Sequence, residues 1–415
     1  MLTKQLFELA LNIKDPWYIK DIQFDVENKQ LDIHIDFHKG SVFHYESQED
    51  NINGDYKAYD TQDKQWRHLN FFEHECYLHA RVPRVKIGEN TIRLINPPWS
   101  GLSNGFTMLF EAIILQLASH MPVHTVGKII GVSDYKIWAM LERYVEEALA
   151  NNDYSQLTAL GMDETSRRKG HDYITLFVDL LAKRTIYIAE GNDQHTVKKF
   201  VEDFKKHNAN PKQITDVSCD MWPAFIRGVT DNLPNAQITF DRYHIIKILN
   251  TAVDKVRKQE VKDNPILKGC RYVVLKNEKN LTKKQRQKRQ ELSITKLNLK
   301  SIKALHIREN FQAIYQATTF EQFETLLKRW YFWATHSRIE PIKEAARTIK
   351  NHWDGVLQWK KSMINNGLLE GLNSLIQAAK AKARGFRVFK YFKIIAFLVT
   401  GKLNFAQFNK HYLPT

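Results

Sequence analysis

Gly161–Leu180 reads GMDETSRRKGHDYITLFVDL, and this stretch decides the fold. It holds two short runs rich in apolar and β-branched residues, separated by the polar, glycine-containing segment RRKGHD, so it reads as two strands and a turn. The pattern continues toward the C-terminus. TIYIAEG (185–191), QITDVSCD (213–220) and AQITFD (236–241) read as strands, and TVKKFVEDFKKH (196–207) and MWPAFIRGVTDNL (221–233) as helices. Three consecutive strands followed by strand–helix–strand alternation predict a mixed five-stranded sheet in a multidomain α/β chain.

This arrangement has a chemical consequence. Asp163 sits near the end of the first strand and Asp220 at the end of the fourth. After a meander and a crossover those two strands can be neighbours, so the carboxylates would face each other. Two such charges repel unless a cation lies between them. Mg²⁺ (or Mn²⁺) suits such a site, being a hard ion that takes a few carboxylate oxygens and keeps waters. A third carboxylate from a packed helix would complete a two-ion centre. Ions about 3.5–4 Å apart can activate a water or a 3′-hydroxyl and stabilise the leaving oxygen of a phosphodiester. Taken singly, each carboxylate also has a plainer reading, as a turn former, a helix cap or a solvated helix residue.

On the N-terminal side the period changes. FTMLFEAIILQLASH (106–120) and MPVHTVGKIIGVSDYKIWAMLERYVEEAL (121–149) predict helices, with a turn at Gly131–Ser133 and Ser133 as an N-cap. Residues 99–152 therefore read as a helix-turn-helix domain, with plain helical packing as the alternative. Tyr135, Lys136, Glu142 and Arg143 fall on polar positions of the second helix. Residues 1–98 read as a small β-rich domain. LDIHIDF–HKGS–VFHY predicts a hairpin turning at Lys39–Gly40, strands follow at 77–85 and 91–95, and Pro97–Pro98 closes the segment.

Residues 153–262 form the first part of the expected core, 263–350 a wholly helical insertion, and 351–415 the second part of the core. The insertion carries KNEKNLTKKQRQKRQEL, with seven Lys/Arg between Lys276 and Arg289 against one acid. That run is either a solvated face or a phosphate contact. A helix over 362–384 carries Glu370, and the basic, aromatic tail ARGFRVFKYFK (383–393) follows. Arg384, Phe386, Arg387 and Lys390 are candidates to hold DNA, or the tail packs its aromatics inward.

The formal charge of +15 and pI near 9.4 point to a polyanionic partner, nucleic acid before an anionic membrane surface. No apolar run approaches the roughly 18 residues of a membrane span. The first residues lack a signal-peptide layout, and the three cysteines contain no CxxC pair. The expectation is a reducing, cytoplasmic setting in association with the nucleoid.

Several of these stretches, taken in series, resemble the ISL-three family of bacterial insertion-sequence transposases. They are YDTQDKQWRHLNFFEHECYLHARVPRV (59–85), GMDETSRRKGHDYITLFVDL, VSCDMWPAFIRGV (217–229), LPNAQITFDRYHIIK (233–247) and NNGLLEGLNSLIQAAKAKARGFR (365–387). The resemblance implies an RNase H-like catalytic domain and a DDE triad of Asp163, Asp220 and Glu370, which would both catalyse and hold two metal ions. The spacings are 57 and 150 residues, the second lengthened by the helical insertion. It implies recognition of terminal inverted repeats in double-stranded DNA by the helix-turn-helix, through Tyr135, Lys136 and Arg143. Cleavage and strand transfer would follow on a homodimer or larger assembly. Asp241 and His244, in FDRYHIIK, would support the metal ligands from behind; a helix-capping Asp and a structural His are the alternative. Glu164, next along the strand from Asp163, should point to the opposite face.

One departure from the family stands out. Its usual N-terminal zinc module would place paired cysteines near 43–51 and 86–90, where this chain reads FHYESQEDN and KIGEN. His34, His38, His44, His68, His74, His79 and Cys76 lie nearby, but histidines at alternating strand positions are mostly ordinary surface residues. The expectation is a degenerate zinc-ribbon-like β domain without zinc. The alternatives to an active transposase are a non-catalytic DNA-binding regulator descended from one, and an RNase H-like nuclease.

Overall fold

The computed structural model describes residues 2–405 except 48–50, 89–90, 104, 169–171, 295–296 and 365–366. Two stretches expected to mark lost zinc ligands therefore lie partly outside the described residues. The chain forms two compact units, Met1–Asn151 with Ala378–Thr415, and Asn152–Gln377.

The first unit opens with α1 (Leu2–Ala10), then β1 (Trp17–Asp25), β2 (Gln30–Phe37), β3 (Val42–Ser47), β4 (Ile52–Phe71), β5 (His74–Ile87) and β6 (Thr91–Leu94). The sheet order is β1-β2-β5-β4-β3, with β6 beside β5. Alternate residues of β2 and β5 point inward, and Leu31, Ile33, Ile35, Leu78, Val82 and Val85 form the core with Trp17, Trp66 and Trp99. The expected hairpin between β2 and β3 does not close. The turn forms (Ser41 N donates to His38 O, 3.2 Å), but β2 is already flanked by β1 and β5, so β3 pairs with β4 instead. β4 escapes sequence reading because its alternation is between half-buried and exposed positions, with little apolar contrast.

The helical part of this unit contains α2 (Met108–His120), α3 (Val123–Ile130) and α4 (Asp134–Ala150). Between α3 and α4 Gly131 adopts φ +70°, the left-handed conformation that favours glycine, and a Cβ on Gly127 would meet Val132 O at 2.6 Å. Ser133 holds the N-cap position of α4, but its hydroxyl makes no cap bond. Glu111, fully buried on α2, accepts from the backbone N–H of Leu102 and Ser103 at 2.8 Å each and from the Tyr144 hydroxyl.

The second unit contains β7 (Ala159–Arg168), β8 (Asp172–Asp179), β9 (Arg184–Glu190), α5 (Gln194–Phe204), β10 (Asp216–Cys219), α6 (Pro223–Asn232), β11 (Gln237–Phe240) and α7 (Arg242–Glu260). Next come α8 (Arg271–Leu275), α9 (Lys283–Leu292), α10 (Lys300–Ile314), α11 (Phe320–Thr335), α12 (Glu340–Asn351), α13 (Trp353–Ser362) and α14 (Gly367–Lys382). The mixed sheet has the order β11-β10-β7-β8-β9. β7, β8 and β9 are antiparallel neighbours, and β10 and β11 run parallel to β7.

The insertion is not a separate core. Leu160, Met162, Phe177 and Val217 of the sheet belong to the same buried cluster as Phe311, Trp330, Ile342 and Val356 of the helices. Each such side chain contributes roughly 1.5–3 kcal/mol by leaving water. The chain returns to the sheet through α13, where Gly355 lets the helix lie on Phe240: an added Cβ would come within 2.3 Å of that ring. The Thr239 and Ser362 hydroxyls are 3.0 Å apart and tie the end of α13 to β11.

The segment expected as one second part of the core divides. α13 and α14 through Gln377 belong to the second unit, and Ala378–Thr415 to the first. The cause is hydrophobic: α15 (Phe389–Thr400) buries Phe392, Ile394, Ile395 and Phe397 and packs with α2 and α4. Among the described residues no helix is long and apolar enough to cross a membrane. Cys76, Cys219 and Cys270 are buried and unbridged.

Candidate active site

Strand register builds the site. In the parallel pair β7–β10, Gly161 faces Ser218, so Asp163 and Asp220 each lie two residues further on. In β10–β11, Cys219 faces Phe240, so Asp220 and Asp241 each lie one residue further on. Asp220 and Asp241 thus lie just past the C-terminal ends of β10 and β11, whereas Asp163, expected near a strand end, lies midway along β7, which runs on to Arg168 as the partner of β8. In register the three carboxylates stand level on adjacent parallel strands, with about 4.8 Å between neighbouring strands.

Each is held by its own backbone contacts. Asp163 Oδ1 accepts from Glu164 N at 2.8 Å. Asp220 Oδ1 accepts from Trp222 N at 2.9 Å, forming a turn ahead of α6. Asp241 caps α7, its Oδ1 accepting from Tyr243 N at 2.9 Å. Its Oδ2 lies 3.2 Å from His244 Nδ1, close enough to pair but off line for a hydrogen bond.

The electrostatics follow from this crowding. Burial pushes Asp163 up from 3.8 to about 6, and Asp241 and Asp220 add to the rise, while the Glu164 N–H and His244 oppose it. His244 moves the other way from a buried base: Asp241 first, then Asp220 and Asp163, hold its proton on and raise it despite burial. When protonated, this imidazole partly balances the charge of the three carboxylates beside it.

α14 lies on the face of β7 that carries Asp163. Its residues Leu369, Asn373 and Gln377, spaced by four, meet Gly161, Asp163 and Thr165, spaced by two. A Cβ on Gly161 would meet Leu369 Cδ2 at 2.9 Å, so glycine makes room for the helix. Asn373 Nδ2 donates to Asp163 Oδ2. Gln377 Nε2 donates to Thr165 Oγ1 at 2.7 Å and to Ser166 O at 3.1 Å. Leu369 and Leu372 bury against Val178. Glu164 engages a different partner, accepting from Asn192 Nδ2 at 2.8 Å, as its opposite strand direction requires.

Glu370 is in the first turn of α14 and exposed, three residues and about 4.5 Å along the axis before Asn373. Its carboxylate makes no hydrogen bond or ion pair among the described residues. Among those residues no three or more His, Cys, Asp or Glu side chains are gathered tightly enough to hold a metal ion. The donors nonetheless match a hard divalent cation in kind. They are carboxylate oxygens under mutual repulsion, together with Asn373 Oδ1, an amide oxygen buried with no hydrogen-bond partner. Asn373 and Gln377 are the residues that sequence reading passed over; the signal was a polar pair at four-residue spacing on a helix whose other buried positions are leucine and isoleucine.

Elsewhere, Tyr135 and Lys136 stand exposed on the first turn of α4. Arg143 is exposed and donates to Leu102 O at 3.1 Å. Arg384 and Arg387 are exposed, whereas Lys390 pairs with Glu142 of α4. The tail aromatics do pack inward. Tyr391 stacks on Trp138 with ring centres 4.2 Å apart, and Phe386 leans on Trp138 and Phe392. In the basic run of α9, Arg289 is buried and donates to Val273 O and Lys276 O, so it organises the insertion rather than facing solvent.

Comparison with known proteins places this geometry. An ISL3-type DDE family model, described as a transposase, matches residues 160–396, more than half of the chain. The transposase for insertion sequence element IS1001 of Bordetella parapertussis is 25% identical over 347 residues, covering 81% of this chain and 84% of that protein. The transposase for insertion sequence element IS1557 of Mycobacterium tuberculosis is 26% identical over 363 residues, covering 78% of each. The matched span takes in β7 from Leu160 onward together with β10, β11 and α14, and the chain belongs to the ISL3 family of insertion-sequence transposases.

Proposed function

We propose that this chain is an active DDE transposase with an RNase H-like catalytic domain. It binds the terminal inverted repeats of its element, nicks their 3′ ends and joins them to target DNA, with Asp163, Asp220 and Glu370 as the metal-binding catalytic carboxylates. The observation that carries the reading is the row of aspartates level in register on three adjacent parallel strands, with the Glu370 helix docked beside it through Leu369, Asn373 and Gln377.

Divalent ions, two Mg²⁺ or Mn²⁺, would supply activation of the attacking oxygen and neutralisation of the leaving one. The protein's own contribution is to hold charge and orientation. Asp163 is ionised above about pH 6 and fixed at one oxygen by Asn373 and at the other by its neighbour's N–H. Asp241 stands beside Asp220 and caps α7, and His244 faces its Oδ2, where the carboxylates favour its protonated form. Glu370 presents an exposed carboxylate one turn from Asn373, free to swing toward DNA-bound ions. In the chemistry they serve, a water oxygen bonds to phosphorus as the P–O3′ bond breaks, and the freed 3′-hydroxyl then attacks a target phosphodiester, losing its proton as the target's 3′ oxygen leaves.

α4 is the proposed major-groove reader through Tyr135, Lys136 and Arg143, with Arg384, Arg387 and Lys390 contacting backbone, on a dimer that pairs two ends. Purified protein with Mg²⁺ and the element's own ends should nick and join them. Repeat binding with no cleavage, unchanged by Asp163→Ala, would favour the regulator reading; preference for branched over linear ends would favour a nuclease.

A further inference from the structure

α7 leaves the aspartate row at its capped N-terminus and carries away from it a face of lysines. Lys247, Lys255 and Lys258 fall within about 80° of one another at 100° per residue, and Lys262 follows just past the helix end. With Arg271 of α8 they line a cleft of about 680 Å³. The one acid in its wall, Asp254, is buried and already matched by Arg257 at 2.8 Å, Lys258 at 3.3 Å and Arg271 at 3.6 Å. Lys255 Nζ lies 3.0 Å from Glu344, but both side chains are half exposed, and such surface pairs contribute little and exchange readily. Lys247 and Lys262 have no acidic partner among the described residues. The cleft is therefore cationic in excess, next to the proposed centre and within the same compact unit.

From Lys247 to Lys262 is about 22 Å at helical rise, close to two-thirds of a duplex turn. We propose that this cleft clamps the phosphate backbone of duplex DNA flanking the scissile phosphate. The inference rests on the transposase reading above and gives α7, the helix that leads from the aspartate row toward the insertion, a role in substrate binding. Neutral amides at these positions remove charge without removing bulk, and contacts to phosphate carry no sequence information. A Lys247→Gln/Lys255→Gln/Lys258→Gln/Lys262→Gln full-length variant should bind a linear duplex carrying the element's end more weakly, and non-cognate duplex equally so.

The quantity to measure is the slope of log affinity against log salt concentration, by fluorescence anisotropy, with folding checked by thermal melt. At about 0.9 per phosphate the slope should flatten by about 3 to 4. A Lys247→Gln/Lys262→Gln variant, whose lysines hold no acidic partner among the described residues, keeps the test alive should the fourfold variant misfold, and should flatten it by about 2. An unchanged slope in a folded variant overturns the clamp. So does an unchanged slope with altered self-association, which would assign the cleft to an acidic protein surface. Wild-type cleavage decides which idea has failed: cleavage with an unchanged variant slope rejects the clamp alone, and a wild-type chain that neither binds nor cleaves the ends rejects both.

Discussion

Asp163→Asn should make the metal-free protein more stable while destroying its chemistry. Asp163 is partly buried, crowded by Asp220 and Asp241, and sits at about 6 rather than 3.8. That difference corresponds to about 3 kcal/mol. Its sign is the reverse of a salt-bridged carboxylate. The folded state keeps the proton longer than the unfolded chain, so the stability from this group is full below about pH 4 and is lost as pH rises to about 6. Asparagine is nearly isosteric and carries no charge; its one carbonyl can still accept from Asn373 Nδ2, at the loss of the bond from Glu164 N, which lowers the gain. The substitution also removes Asp163's attraction for the His244 imidazolium, so 3 kcal/mol is an upper limit. Urea unfolding in EDTA at pH 8, followed by tryptophan fluorescence, should show the variant more stable by up to about 3 kcal/mol, or roughly 6–12 °C in a melt for a unit of this size. The two proteins should converge near pH 4. A variant less stable than wild type at pH 8, or an offset independent of pH, would refute the crowding argument.

Other expectations follow from the same site. Divalent-ion binding, read by calorimetry, should weaken as pH falls through about 6, because Asp163 takes up its proton there. Asn373→Ala leaves Asp163 without its amide partner and should cost about 10–100-fold in metal affinity with the fold intact, measured by ion titration beside a melt. Leu369→Ala removes the leucine that fills the space over Gly161 and should cost about 2–5 kcal/mol by urea unfolding. Near-neutral stability there would mean that α14 is held on the sheet by its polar contacts alone.

The second unit's sheet was legible because its strands are short, apolar and punctuated: all five expected strands, including the adjacency of β7 and β10, are present. That pattern allows Asp163 and Asp220 to lie on neighbouring strands, but only the family resemblance selects them from the other acidic residues. The first unit was less legible. β4 runs for 20 residues with little apolar contrast, and the β2–β3 turn, though formed, joins strands that pair with others. No local pattern reports which edge of β2 is free. The path back to the sheet depended on Gly355 and Gly161, two close approaches that a sequence shows only as small residues. Asn373 was hidden for a similar reason, since an asparagine on an amphipathic helix looks like any polar position until β7 is laid against it. The tail's place depended on α15 burying its aromatics with α2 and α4, which its basic composition obscured.

Glu370 is the carboxylate proposed to complete a metal-dependent centre with Asp163 and Asp220. Glu370 is exposed and makes no internal bond among the described residues, so Glu370→Gln should leave folding within about 0.5 kcal/mol of wild type. The direct measurement is joining of labelled element ends to target DNA in Mg²⁺, wild type beside Glu370→Gln at equal end occupancy. Wild type should give joined product and the variant none detectable; undiminished joining by Glu370→Gln would rule out a metal-binding role for Glu370.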